Sequence, residues 1–237
     1  MNWKWFALGG GLSAFWLLSK KAKAVSTPAV STPAVSSIQP SPGPTGMPKA
    51  PDRPPQVLEA SAIVDKAIEE LEYWDGRQET DPRMRARLDE YWRSAGIGPQ
   101  DPSEVPWSAA FVTHVVQSTV PGALLPTGAH INYTRQAYAD RGKSGKYGAF
   151  DPYELRIQPS DIIVTSRGAG LTTWADITSG SGDFRKTHGD IVVSVRPGQA
   201  EAIGGNVGNS VDVNTYPLDA QGRLEPVKPY VAVLRLQ

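Results

Sequence analysis

The chain has 237 residues, with 24 basic and 24 acidic side chains and no cysteine. A formal net charge of zero gives no electrostatic basis for binding nucleic acid, and the missing thiols exclude disulfides, thiolate metal sites and a cysteine nucleophile. Once a non-globular N-terminal stretch of about fifty residues is set aside, roughly 180 remain, enough for one domain with a sizeable core.

Residues 1–24 read as a membrane-directed segment. The uncharged apolar run from Phe6 to Leu18 follows Lys4. It is shorter than the ~20 residues of a full span and suits a signal-peptide core. Ala22-Lys23-Ala24 has the small-x-small form of a cleavage site, whereas Lys20, Lys21 and Lys23 favour an uncleaved anchor. Either way the expected location is exported or membrane-anchored, facing the cell envelope. Residues 25–57 form a linker. Val25-Ser26-Thr27-Pro28-Ala29 repeats as Val30-Ser31-Thr32-Pro33-Ala34, and a run of prolines follows. Proline removes backbone donors and favours an extended path, so this segment is a semi-rigid spacer.

The folded domain is expected over 58–237. Val64, Ala67, Ile68 and Leu71 recur at helical spacing and predict a helix over 57–74. Asp81-Pro82 opens a second helix, with Asp as cap and Pro at the first position, and Gly96 ends it. A third runs from Ser108 to Thr119, where Phe111, Val112, Val115 and Val116 make a buried face and Pro121-Gly122 stops it. The following stretch is loop-rich, with a short helix at 131–140. From Pro159 the pattern turns to strands at 161–166, 190–196, 200–203, 210–216 and 230–236, separated by Gly/Pro turns. Residues 167–187 read as a long loop beside His188. Helices first and an antiparallel sheet afterwards is an α+β pattern.

Three polar residues recur in the chain order of a hydrolase: Ser108 at a helix start, His188 opening a strand, and Asn206 after two glycines. A hydroxyl is a weak nucleophile until a base takes its proton, and the base works best when a third polar group orients it. Each also has a plainer reading: Ser108 as an N-cap, His188 as a structural histidine, Asn206 as a turn residue tolerant of left-handed backbone. Trp107, His130 and Tyr133 form the candidate substrate-binding set. His114 lies six residues beyond Ser108, about 240° around the helix, and should point away from it. The histidines and acidic residues show no close metal-ligand spacing, and Gly204-Gly205-Asn206-Val207-Gly208 lacks the lysine of a phosphate loop. No metal and no cofactor is expected.

Four pieces carry a family resemblance: Trp107-Ser108-Ala109-Ala110-Phe111-Val112, Pro159-Ser160-Asp161-Ile162-Ile163-Val164, His188-Gly189-Asp190-Ile191-Val192-Val193 and Ala202-Ile203-Gly204-Gly205-Asn206. In this order they resemble the NlpC/P60–CHAP branch of the papain-like superfamily. More narrowly they are similar to the bacterial and phage family DUF2272, over about residues 58–237. The resemblance implies a papain-like NlpC/P60 fold, with N-terminal helices packed on a C-terminal antiparallel sheet. It implies a peptidoglycan-directed amide hydrolase, an endopeptidase or amidase, with Ser108 in the position of the branch's catalytic cysteine, His188 as base and Asn206 as its orienting partner. A serine hydroxyl is far less acidic than a thiol and must lose its proton during attack. That departure supports a rival expectation, a catalytically inactive module that grips cell-wall peptide or glycan. A virion component of a phage, assembled with other virion proteins, is a third. In each case the partners are peptidoglycan and, through residues 1–24, a membrane, with no nucleic acid.

Overall fold

The computed structural model describes residues 55–180 and 185–237. The expected signal or anchor segment at 1–24, and the linker up to residue 54, lie outside the described residues. Helix α1 spans Pro55–Trp74, α2 Arg85–Ser94, α3 Ser108–Thr119, α4 His130–Ala139 and α5 Trp174–Thr178. The strands are β1 Tyr147–Phe150, β2 Ile162–Ser166, β3 Thr187–Arg196, β4 Gln199–Val207, β5 Ser210–Pro217 and β6 Tyr230–Leu236. No helix among the described residues is long and apolar enough to cross a membrane.

The six strands form one antiparallel sheet in the order β1-β6-β2-β3-β4-β5. Thus β2 to β5 make a meander, and the last strand inserts between the first two. Alternation along each strand divides the side chains between two faces. Ile162, Val164, Ile191 and Ile203 join the helices in the larger core, and Ile163, Val192, Ala202, Tyr216 and Tyr230 form a smaller cluster with Ile157, Leu218 and Leu224. The fold is therefore mixed α and β with an antiparallel six-stranded sheet, as the sequence pattern predicts at that level.

The elements differ from expectation in three places. The second helix begins with a 3₁₀ turn over Pro82–Met84, in which the Asp81 side chain accepts from the Arg83 backbone N–H at 2.9 Å. Strand β1 lies in the stretch expected to be loop; at four residues, one of them glycine, it carries too little periodicity to be read. The expected loop 167–187 contains α5, whose start is a capping box between Thr173 and Asp176.

The helices are locked to one another by a buried carboxylate. Glu70 of α1 accepts from the Tyr91 hydroxyl of α2 at 2.6 Å and pairs with Lys66 at 2.9 Å. Arg87 and His114 each approach it to 3.5 Å. Tyr91 in turn accepts from the Trp74 indole at 2.8 Å, and Trp107 stacks on Trp74 with ring centroids 4.8 Å apart. Burial alone would raise the Glu70 carboxyl. The His114, Tyr91 and Lys66 contacts and the Arg87 charge outweigh it and hold the group at about 2 instead of 4.5. With the folded value below the unfolded one, the unfolded chain binds more protons in between. The stabilisation is complete above about pH 4.5 and is lost as pH falls toward 2. We expect Glu70→Gln to lose roughly 3 kcal/mol at pH 7, in the range for breaking a buried ion pair, and to flatten the pH dependence of urea unfolding below pH 5. An unchanged acid limb in the variant would assign that limb to other carboxylates.

Candidate functional site

Helix α3 presents Ser108 as its first residue. Ala109 and Ala110 behind it are small and buried, so the helix start sits deep against the sheet. Two glycines on β4 and one on β3 make this possible. A Cβ at Gly205 would stand 2.4 Å from the Phe111 Cβ and 2.9 Å from the Trp107 ring. A Cβ at Gly189 would meet the Tyr133 hydroxyl at 2.5 Å and His130 Nδ1 at 2.9 Å. One at Gly204 would fall 1.8 Å from Asp190 Oδ1. At contacts this short, a side chain at any of the three positions would force its neighbour to shift.

Ser108 does not cap its helix. Its hydroxyl is 2.6 Å from His130 Nε2 instead. His130 opens α4, and the loop before it is tied to α3 by the Thr113 hydroxyl, which donates to the Thr127 carbonyl at 3.0 Å. The other ring nitrogen of His130, Nδ1, is hydrogen-bonded to the Tyr133 hydroxyl one helical turn on. With Nε2 accepting from Ser108, Nδ1–H is left to donate to the tyrosine oxygen. Ser108, His130 and Tyr133 are all buried. Burial, and then the neighbouring charges of His188 and Arg167, push the His130 imidazole well below the ordinary histidine value of 6.5.

His188 lies beside this pair, its ring centroid 5.6 Å from that of His130. Its Nε2 is 2.7 Å from Asp190 Oδ1, an ion pair when the imidazole is protonated. The other carboxylate oxygen, Oδ2, accepts from Asn214 Nδ2 at 2.8 Å and from the Tyr216 hydroxyl. Burial would raise the Asp190 carboxyl, but His188, Tyr216 and Asn214 more than offset it and hold it below its usual range. Asp190 and Val192 alternate with Gly189 and Ile191, and β3 pairs with β4 only from Ile191↔Ile203 onward. Asp190 thus reaches Gly204 where the two strands part.

The structure therefore brings Ser108, His130, Tyr133 and His188 together and sets two expected residues apart from them. Asn206 makes no hydrogen bond to His188. It has a φ of 57° at the register shift between Gly205 and Val207, a bulge position that Asn tolerates. Asp190 occupies the place beside His188 instead. Trp107 has no exposed surface: it stacks on Trp74 and Tyr91 and donates to Glu79 at 2.7 Å, so it shapes the core and has no face for a ligand. His114 points away, bonded to Ser94 at 2.9 Å. Asp161, in the Pro159-Ser160-Asp161 piece, holds Arg235 of β6 in a two-point ion pair at 2.9 and 2.6 Å.

The chain belongs to the DUF2272 family. The model of that family, described as an uncharacterized protein conserved in bacteria, matches residues 68–235. No curated protein and no solved structure matches the chain. The matched range of DUF2272 contains all the residues of the Ser108–Asp190 cluster, and all three close-approach glycines.

Two of the relations in this site were available from spacing. His130 and Tyr133 stand at i and i+3, one face of a helix, and His188 and Asp190 stand at i and i+2, one face of a strand. Chemically, the arrangement holds a hydroxyl against a neutral imidazole at the positive end of a helix, where backbone N–H groups of the first turn have no helical partner. No group of three or more His, Asp or Glu side chains is placed to hold a metal ion among the described residues.

The Gly204–Asp190 contact makes a direct test. Gly204→Ala should lower the thermal midpoint by several degrees, an effect of ~1–3 kcal/mol. In an Asp190→Ala background the same change should cost far less, because the colliding oxygen is gone. A double-mutant cycle read by thermal unfolding checks this; additive effects would mean that the strands yield without strain.

Proposed function

We propose that this chain is a serine-dependent amide hydrolase directed at peptidoglycan. The observation that carries the reading is the 2.6 Å contact between the Ser108 hydroxyl and His130 Nε2. Ser108 attacks the amide carbonyl and its proton passes to His130. The C–N bond breaks as that proton moves to the leaving amine, and water, activated by the same imidazole, releases the acyl group. The first-turn N–H groups of α3 stabilise the oxyanion. In this reading His130, and not His188, is the base. His188, close to the Asp190 carboxylate, disfavours a resting positive charge on His130 and so keeps it ready to accept a proton. The papain-like NlpC/P60 placement, and with it the cell-wall substrate, rests on the order of the four sequence pieces and on helices packed against an antiparallel sheet. Export or anchoring by residues 1–24 would put the domain where that substrate is.

One observation favours a second reading. Ser108 is only 7% exposed, and a serine this enclosed can serve packing alone in a module that binds wall peptide without cleaving it. Purified full-length protein, incubated with peptidoglycan and followed by mass spectrometry of soluble fragments, separates the two. Fragments from the parent should vanish in Ser108→Ala, and His130→Ala should cost a factor of about 10² to 10⁴. Equal release by parent and Ser108→Ala would rule out the serine mechanism, and fragments from Ser108→Cys alone would point to a binding module.

The pH profile follows from the depressed imidazole. A base must be neutral to act, and His130 is neutral well below pH 6.5. We expect kcat/KM to be level through neutral pH and to fall only on the acid side of 6.5. A limb at or above that value would assign the base to another group.

A further inference from the structure

Beside His188 lies a cavity of about 210 Å³ lined by β2, β3, β5 and the segment that precedes β6. Its wall includes Thr165, Arg167, His188, Asn214, Tyr216 and Lys228. His188 is 2% exposed; its Nε2 lies against Asp190 Oδ1, while its Nδ1 has no hydrogen-bond partner, which is unusual for a buried polar atom. The Asn214 and Tyr216 side chains are already committed to Asp190. The two cations are different. Arg167 and Lys228 are exposed side chains, and neither forms an ion pair with a carboxylate among the described residues. Lys228 is held over the Tyr216 ring at 4.4 Å, with its ammonium 3.2 Å from the Thr215 carbonyl. Arg167 is close enough to the nucleophile's partner for its charge to act on His130.

We propose that this cavity takes a carboxylate of the peptide being cleaved, held by Arg167 and Lys228. The inference rests on the peptide-hydrolase reading of Ser108 and adds what that reading lacks, the feature of the substrate that is recognised. Charge decides between anions. The one carboxylate next to the wall, Asp190, lies behind it, bonded to Asn214 and Tyr216, so the two cations leave a single positive charge. That balance matches a singly charged carboxylate better than a doubly charged phosphate. The volume lies below the 300 to 1,000 Å³ common for whole small-molecule ligands. It fits one end or one side chain of an extended peptide, with the rest of the peptide running past His188 toward Ser108.

The test is calorimetric titration of the full-length Ser108→Ala chain, which binds without turnover. The probes are N-acetyl-D-alanyl-D-alanine, its C-terminal amide, and inorganic phosphate. The free acid should bind about tenfold or more tightly than the amide, and phosphate weakly. Arg167→Gln with Lys228→Gln, both at exposed positions, should bring acid and amide to within about twofold. Equal binding of acid and amide, a preference that survives the double substitution, or phosphate bound as tightly as the acid would each overturn the assignment. Fragment release by the parent is scored separately. A carboxylate preference without Ser108-dependent release keeps the cavity and removes the hydrolase. Release without the preference does the reverse.

Discussion

The site depends on a steric constraint: strands β3 and β4 must carry no side chain at 189, 204 and 205. Each of these positions faces a different group. Gly189 admits the His130–Tyr133 pair, Gly205 admits Phe111 and the Trp107 ring, and Gly204 admits the Asp190 carboxylate. With a Cβ at 205, α3 could not approach the sheet at its present distance, and with one at 189 the His130–Tyr133 pair could not keep its place beside Ser108. The Gly204-Gly205 pair is thus used for close packing, and neither residue has a positive φ.

Around that constraint the molecule divides its polar groups between the two sides of the sheet. Ser108, His130 and Tyr133 belong to the helix side. Asp190 is held by Tyr216, which packs in the smaller cluster on the other side. His188 stands next to both, within 5.6 Å of His130 and 2.7 Å of Asp190, at the level where β3 and β4 separate. An electrostatic change on one face can therefore be felt at the imidazole on the other without any movement of the strands. The buried Glu70 network serves a different end. It fixes α1, α2 and α3 as a unit, so that the start of α3 is held in place from behind.

Much of this was legible in the sequence, and the reasons for the rest are physical. The Ser108–Thr119 helix and the antiparallel run of strands follow from periodicity and turn residues. The partner of Ser108 did not, because His130 reaches it through the path of a loop whose geometry leaves no periodic trace. Asn206 enters the expected site through the chain order Ser, His, Asn, and Trp107 through its place beside Ser108. In three dimensions a bulge takes one out of the site and an aromatic stack encloses the other. Asp190 reads in the sequence only as the start of a strand, because the Asn214 and Tyr216 bonds that give it a role come from a different strand.

The contact between Asp190 and position 204 also bears on how such sequences can change over time. While the carboxylate is present, any side chain at 204 must displace it, so glycine is favoured there. Once the carboxylate is lost, the pressure on 204 relaxes and larger residues become neutral. The two positions should then drift as a pair, in one order only: the acid goes first, the glycine second. A sequence with a side chain at 204 would carry in that one residue the record of an acid its ancestor had already given up.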